Sequence, residues 1–217
     1  MAEQICVYKN ENVIEPTSMD RGQFYAEQTA VYKAIGEPTL YCEVINMLFI
    51  NKAGEIIIQK RSAEKTHNAN LFDKSIGGHV VFGDAIEYTV MVETIQELQT
   101  PSIVVKDESH FQKTLHLLKD HLETVAVVCP ISTQFKVFTK QMNNEKIGIG
   151  NKTNFFIGVY DGKIRFADKE VKGIMFYTLD ELEAEVVKNP DNFTEDLKVI
   201  LQENRDAIVR FTDMVKV

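Results

Sequence analysis

Apolar side chains crowd one stretch of this chain more than any other. From Leu40 to Ile50 the run YCEVINMLFI is apolar and β-prone, breaks at Asn51-Lys52-Ala53-Gly54, and resumes as EIIIQKR. Two such runs across a short polar break predict a β-hairpin. Further strands are predicted at Val125–Cys129, Phe135–Thr139, Asn154–Tyr160 and Lys172–Tyr177, with Asp161-Gly162 as a hairpin turn. Near the N-terminus, Ile5–Tyr8 and Val13-Ile14 flank Lys9-Asn10-Glu11-Asn12, which reads as a short hairpin or equally as an irregular arm.

Helical periodicity occupies the intervals. Thr17 or Ser18 can cap a helix reaching about Ala34, which Gly36 and Pro38 end. A second helix is predicted over Asp84–Gln99, with Asp84 and Glu87 as a capping box and Ile86, Val90, Met91, Ile95 and Leu98 along one broad face. A third, about His110–Leu122, carries Phe111, Leu115, Leu118 and Leu122 at a/d-like spacing and reads as a lid or extra layer. Two more close the chain, Leu179–Lys188 and Thr194 to about Met214, parted by Asn189-Pro190-Asp191; Thr194 suits a helix start. No internal repeat or dividing linker interrupts this order.

Composition narrows the classes. With 217 residues, 44% hydrophobic and 26% charged, the chain can close a sizeable core. A formal charge of -8 without clustered Lys and Arg argues against binding a nucleic-acid duplex. Cys6, Cys42 and Cys129 are scattered and odd in number, so neither a disulfide framework nor a metal knuckle is implied, and Cys129 reads as a core thiol. The absence of a signal-like or membrane-length apolar run leads to the expectation of a cytoplasmic protein that does not cross a membrane.

Chemistry concentrates on the second helix. Glu93, Gln96 and Glu97 stand at i, i+3 and i+4, which stacks them on one side opposite the apolar face. Taken alone, such a group is a solvated helix face. Gly77, Gly78 and Gly83 just before it permit the tight backbone that would bring strand end, loop and helix together. Oxygen donors of this kind suit Mg²⁺.

The segment GHVVFGDAIEYTVMVETIQELQT resembles a Nudix box, G-x(5)-E-x(7)-R-E-U-x-E-E-x-G-U with U a bulky apolar residue. Gly78, Glu93 and Glu97 match; Asp84 replaces the first Glu, Val92 the Arg, Gln96 the first of the paired acids, and Thr94, Gln99 and Thr100 the remaining positions. The hairpin ending IIIQKRSAEK, the loop LFDKSIGGHVVFGD and the late FFIGVYDGKIRFADKEVKGIMFYTLDEL are Nudix-like in order and spacing. The likeness lies nearest the isopentenyl-diphosphate isomerase branch, but Gly77 stands where that enzyme has its catalytic Cys, so isomerase chemistry is not expected.

The resemblance implies a Nudix fold, an α/β (α+β) arrangement with a mixed sheet sandwiched between helices. It implies an N-terminal arm over 1–39 and a Nudix domain over 40–217 with an insertion at about 104–134. It implies hydrolysis of a diphosphate bond in a small-molecule substrate, dependent on Mg²⁺ or Mn²⁺, with Glu93 and Glu97 as catalytic ligands. Gln96 and Glu170 would complete the metal site, Arg61, Gly78 and His79 would meet the substrate, and Asp84 would support the loop. With Val92 unable to orient a carboxylate and Gln96 lacking charge, the activity would be weakened. The rival expectation is a non-catalytic Nudix-fold module binding a nucleotide-like ligand or a protein. Arm and C-terminal helices offer faces for a homodimer.

Overall fold

The chain, described here by a computed structural model over residues 3–142, 145–164 and 171–216, forms a ten-stranded mixed sheet with helices on both faces. Its elements in order are β1 (Gln4–Tyr8), β2 (Thr17–Asp20), α1 (Arg21–Ile35), β3 (Tyr41–Ile50), β4 (Ile56–Arg61), β5 (Phe72–Asp73), β6 (Ile76–His79), α2 (Ile86–Leu98), β7 (Ser102–Val104), α3 (Glu108–Leu118), β8 (Ala126–Met142), β9 (Glu145–Val159), β10 (Val171–Tyr177), α4 (Leu179–Lys188), α5 (Glu195–Glu203) and α6 (Arg205–Val215). The main path is β10-β4-β3-β9-β8-β7, with β3–β9 and β7–β8 parallel.

The two-residue period of β3 decides the layers. Leu48 and Ile50 point into a core shared with Phe111 and Leu115 of α3, Leu197 and Ile200 of α5 and Ile208 and Phe211 of α6. Ile45, Met47 and Phe49 point the other way, onto Val90 and Leu98 of α2. A strand buried on both faces must be apolar throughout, which is why Tyr41–Ile50 shows no clean alternation. A third cluster joins Phe24 and Tyr25 of α1 to Ile5, Val7, Cys42 and Val44, so the N-terminal strands are stitched onto the sheet.

Several expectations change. Residues 17 and 18 are strand: β2 pairs with β1, and Asp20 caps α1 by accepting from the Gln23 N–H at 2.9 Å. Val13-Ile14 forms no strand. Asp84 makes no capping box; α2 starts at Ile86 from Ala85 without a side-chain cap. Met91 and Ile95 are exposed, while Thr89, Val90, Thr94 and Leu98 are buried, so the helix is rotated from its apolar reading. The strands expected at Val125–Cys129 and Phe135–Thr139 are one long β8 with an irregularity at Pro130. Asp161-Gly162 is no two-residue hairpin turn, because β10 pairs with β4 and not with β9. The closing helix breaks at Asn204 into α5 and α6, with Thr194 capping α5 as expected. Cys129 is buried, and burial pushes its thiol up to about 12. Among the described residues no helix is long and apolar enough to cross a membrane.

Candidate active site

A pocket opens where β3 changes partners. Along one edge β3 pairs with β1 at Tyr41 and Cys42, with β6 from Val44 to Met47, and with β4 only at Phe49 and Ile50. Ser75 sits in the fork: it accepts from the Phe49 N–H at 2.7 Å and donates to the Ile57 carbonyl at 2.5 Å, replacing the ladder bond that strand divergence removes. The space between the diverging strands is a cavity of about 280 Å³ lined from β4 by Gln59 and Arg61, from β6 by Gly77, Gly78 and His79, and from α2 by Glu93, Gln96 and Glu97.

Gly78 makes the α2 wall possible. A Cβ built there would collide with the Glu93 carboxyl group, so the missing side chain is the room into which Glu93 reaches. Glu93 and Glu97 are half-buried one helical turn apart, and Gln96 is exposed beside them. Two polar residues, one within this helix and one just after it, have structural work: the Thr94 hydroxyl lies 2.8 Å from Ser102 Oγ, and Thr100 donates to the Tyr160 hydroxyl at 2.9 Å. Gln99 ends the helix in the left-handed region at φ 54°. Val92, on the same helix, is half-buried.

A buried ionic group lines another part of the pocket. The Asp73 carboxylate accepts from Arg61 Nη1 at 3.0 Å, Lys74 Nζ at 3.2 Å and Thr194 Oγ1 at 2.8 Å, and Lys74 Nζ also meets Asp196 at 2.5 Å. Burial alone would lower the Lys74 ammonium, but Asp196 and Asp73 outweigh it and hold it above the usual lysine range. Burial would likewise raise Asp196, and the Lys74 charge instead holds it well below the usual carboxylate range. The Lys74 stem packs where a Cβ on Gly77 would stand.

The remaining corner is built by α1, β6, β8 and the loop after β4. Tyr25 Oη lies 2.9 Å from His79 Nε2 and accepts from Lys140 Nζ at 2.9 Å, while its ring stacks on His67 at 4.7 Å between centroids. Burial, then the nearby Lys140 and Arg61 charges, push the His67 imidazole down to about 4. Burial together with Arg21 and Lys140 holds His79 well below the usual histidine range. Both rings are therefore neutral at pH 7.

The pocket thus gathers Glu93, Gln96, Glu97, Arg61, Gly78 and His79. Glu170 lies outside the described residues, and Asp84 is exposed and away from the cavity. Arg61 is no surface ion pair: besides Asp73 it gives Nε and Nη2 to the His67 carbonyl, leaving one N–H on each terminal nitrogen. His79 belongs to a strand and not to a loop. Sequence reasoning missed Tyr25, His67, Asp73, Lys74, Lys140 and Asp196, which come from distant segments; only the position of Asp73-Lys74 just before the glycine pair hinted at them.

The donor set fits a hard divalent ion in part. Two carboxylates and an amide oxygen on one helix face, with Gly78 leaving space beside Glu93, are what Mg²⁺ takes when phosphates and water complete its shell. Among the described residues, no cluster of three or more His, Cys, Asp or Glu forms a protein-only cage.

No family model matches the chain, and no curated protein matches it by sequence. Among solved structures it is similar to that of DR0079 from Deinococcus radiodurans, with TM-score 0.58 and 16% identity over 96% of this chain and 98% of that one. Weaker likeness extends to the NUDIX domain of Shewanella oneidensis NrtR complexed with ADP ribose (TM-score 0.47, 11% identity, 87% and 99% covered) and to the E. coli dihydroneopterin triphosphate pyrophosphohydrolase (TM-score 0.45, 10% identity, 79% and 97% covered). At 16% identity the likeness to DR0079 is one of fold, and the mixed sheet held between helices that the sequence led us to expect is the architecture of this chain.

Proposed function

We propose that the chain is a Nudix-type hydrolase that cleaves a diphosphate bond in a nucleoside-diphosphate-like or other small organic diphosphate. The observation that carries this reading is the seat of Glu93 in the space left by Gly78, which sets Glu93, Gln96 and Glu97 on the wall of a pocket that also holds Arg61. In the reaction a water oxygen bonds to one phosphorus and its protons pass to solvent, while the bond from that phosphorus to the bridging oxygen breaks and the bridging oxygen leaves with the other phosphate.

Glu93 and Glu97 would hold Mg²⁺ or Mn²⁺, with Gln96 giving a neutral carbonyl oxygen and Glu170 a further carboxylate. Such an ion, when bound, supplies Lewis acidity to the phosphate oxygens. Arg61, positioned by Asp73 and the His67 carbonyl, offers its two remaining N–H groups to a phosphate. His79 has Nε2 engaged by Tyr25, so it reaches a ligand through Nδ1. Val92 cannot orient the acids as an arginine would, and activity is correspondingly low. The arm over 1–39 and the region 104–134 are parts of the same Nudix unit in this reading, and its three buried, free thiols accord with a cytoplasmic setting.

A binding module without catalysis is the second reading, favoured by the absence of a three-ligand cluster among the described residues and by Gln96 in place of an acid. Calorimetric titration with Mg²⁺ and Mn²⁺, with and without a panel of nucleoside-diphosphate compounds, separates the two. Metal binding, phosphate release abolished in Glu97→Gln and raised in Gln96→Glu, is the expected result. No metal binding at millimolar concentration would leave the binding module.

A further inference from the structure

We infer that the corner formed by Lys140, Tyr25, His67 and His79 is a second anion-binding subsite, which receives a terminal phosphate or carboxylate of the ligand apart from the diphosphate at α2. This deepens the reading above, since it takes the same pocket to hold a diphosphate-linked ligand.

Charge pairing is the first ground. Arg61 and Lys74 are neutralised by Asp73 and Asp196, and Arg21 meets Glu3 at 2.8 Å. Lys140 also lines the cavity, yet among the described residues no carboxylate lies within ion-pair distance of its Nζ, whose hydrogen-bond partner is the neutral Tyr25 hydroxyl. A half-buried ammonium satisfied by one neutral acceptor keeps hydrogens for another oxygen. A carboxylate or phosphate is the group such a donor binds most strongly.

Preorganisation is the second. The loop carrying His67 is clamped to β8 beside Lys140: the Asn68 N–H donates to the Gln141 carbonyl at 3.0 Å, and the Gln141 N–H returns to Asn68 Oδ1 at 2.8 Å. Asn68 adopts φ 53°, a left-handed conformation that asparagine tolerates better than most residues. Tyr25 then fixes the distance between Lys140 and His79 through its single oxygen. These bonds hold the corner's side chains in place without a ligand, which lowers the ordering cost of binding. Burial is the largest cause of the depressed imidazoles of His67 and His79, and the Lys140 charge adds to it at both rings, which places that charge beside them.

The test needs neither divalent metal nor turnover. Inorganic phosphate and, separately, acetate are titrated into the full chain in chelator, while the ring signals of His67 and His79 are followed by NMR. Saturable movement of both rings with phosphate, with acetate, or with both is expected, and the effective anion names the group that the subsite takes. Lys140→Gln should weaken that binding at least tenfold, and Lys140→Arg should hold it within about threefold. Unmoved rings in the wild-type chain would overturn the subsite, as would equal affinity in Lys140→Gln. Because metal is absent, failure here leaves the Glu93 and Glu97 reading standing, and loss of hydrolysis in Glu97→Gln leaves this one standing.

Discussion

The acids of α2 and the acids around Lys74 line the same pocket, yet the protein holds them in opposite ways. Asp73 is buried and Asp196 nearly so, with 13% of its side chain exposed, and each spends its charge on Lys74, with Arg61 and Thr194 taking further oxygen positions on Asp73. Glu93 and Glu97 stand half-exposed on a helix face beside a glycine that gives one of them room. A carboxylate locked into a buried pair fixes the fork between β4 and β6; one held at a pocket wall can engage an incoming cation or ligand. The same residue type builds the vessel in one place and furnishes it in the other.

Removing the shared partner breaks this contrast most forcefully. Lys74→Met leaves the nearly buried Asp196 without its cation while Asp73 keeps Arg61, and we expect a loss of about 3 kcal/mol in urea unfolding at pH 7. The pH dependence identifies the cause. Asp196 is held below its unfolded pKa, so its contribution is present above about pH 4 and lost as pH falls further; Lys74 is held above its own, so its contribution is present below about pH 10 and lost above that. Wild-type stability should therefore decline on acidification through pH 4. Lys74→Met should decline less or gain over that interval, because protonation relieves the stranded Asp196. Parallel pH profiles for the two proteins would show that the network is not what holds the fork.

The opposite perturbation is Gly78→Ala. Its Cβ meets the far end of the flexible Glu93 side chain, which can swing away, and Gly78 has no left-handed backbone to strain. The expected result is a stability change within about 1 kcal/mol, together with a fall of about 10 to 100-fold in the affinity for Mn²⁺ or in any hydrolysis. Unaltered metal affinity in Gly78→Ala would remove Glu93 from the site. Lys74→Met and Gly78→Ala thus separate scaffold from chemistry within one cavity.

The difference also explains what could be read from the chain. Glu93, Gln96 and Glu97 share one helix, so a spacing rule finds them; the β3 run is long and apolar because both its faces are covered. Asp73, Lys74, Asp196 and Lys140 come together only after β4, β6, β8 and α5 are assembled, and no local pattern encodes that meeting. Rotational errors have a physical source too. In α2, apolar Met91 and Ile95 outnumber what the core needs, while Thr94 and Ser102 satisfy each other inside, so hydrophobicity alone points to the wrong face. Asp161-Gly162 misled because β10 crosses the sheet to pair with β4, a long-range pairing that a turn signal cannot exclude.

The smallest effect sharpens the comparison within α2 itself. Gln99 ends the helix and adopts φ 54°, ψ 34°, giving its N–H to the Ile95 carbonyl at 3.1 Å. A non-glycine side chain in this region costs about 1 kcal/mol, and a glycine at the end of a helix does not meet that cost. Gln99 is exposed and does not line the cavity. Gln99→Gly should therefore raise the thermal midpoint by about 2–4 °C and leave metal affinity within twofold. A change in affinity larger than its change in stability would mean that the end of α2 tunes the acids one turn earlier, and the division between scaffold and chemistry would then run through the helix and not between the two acidic groups.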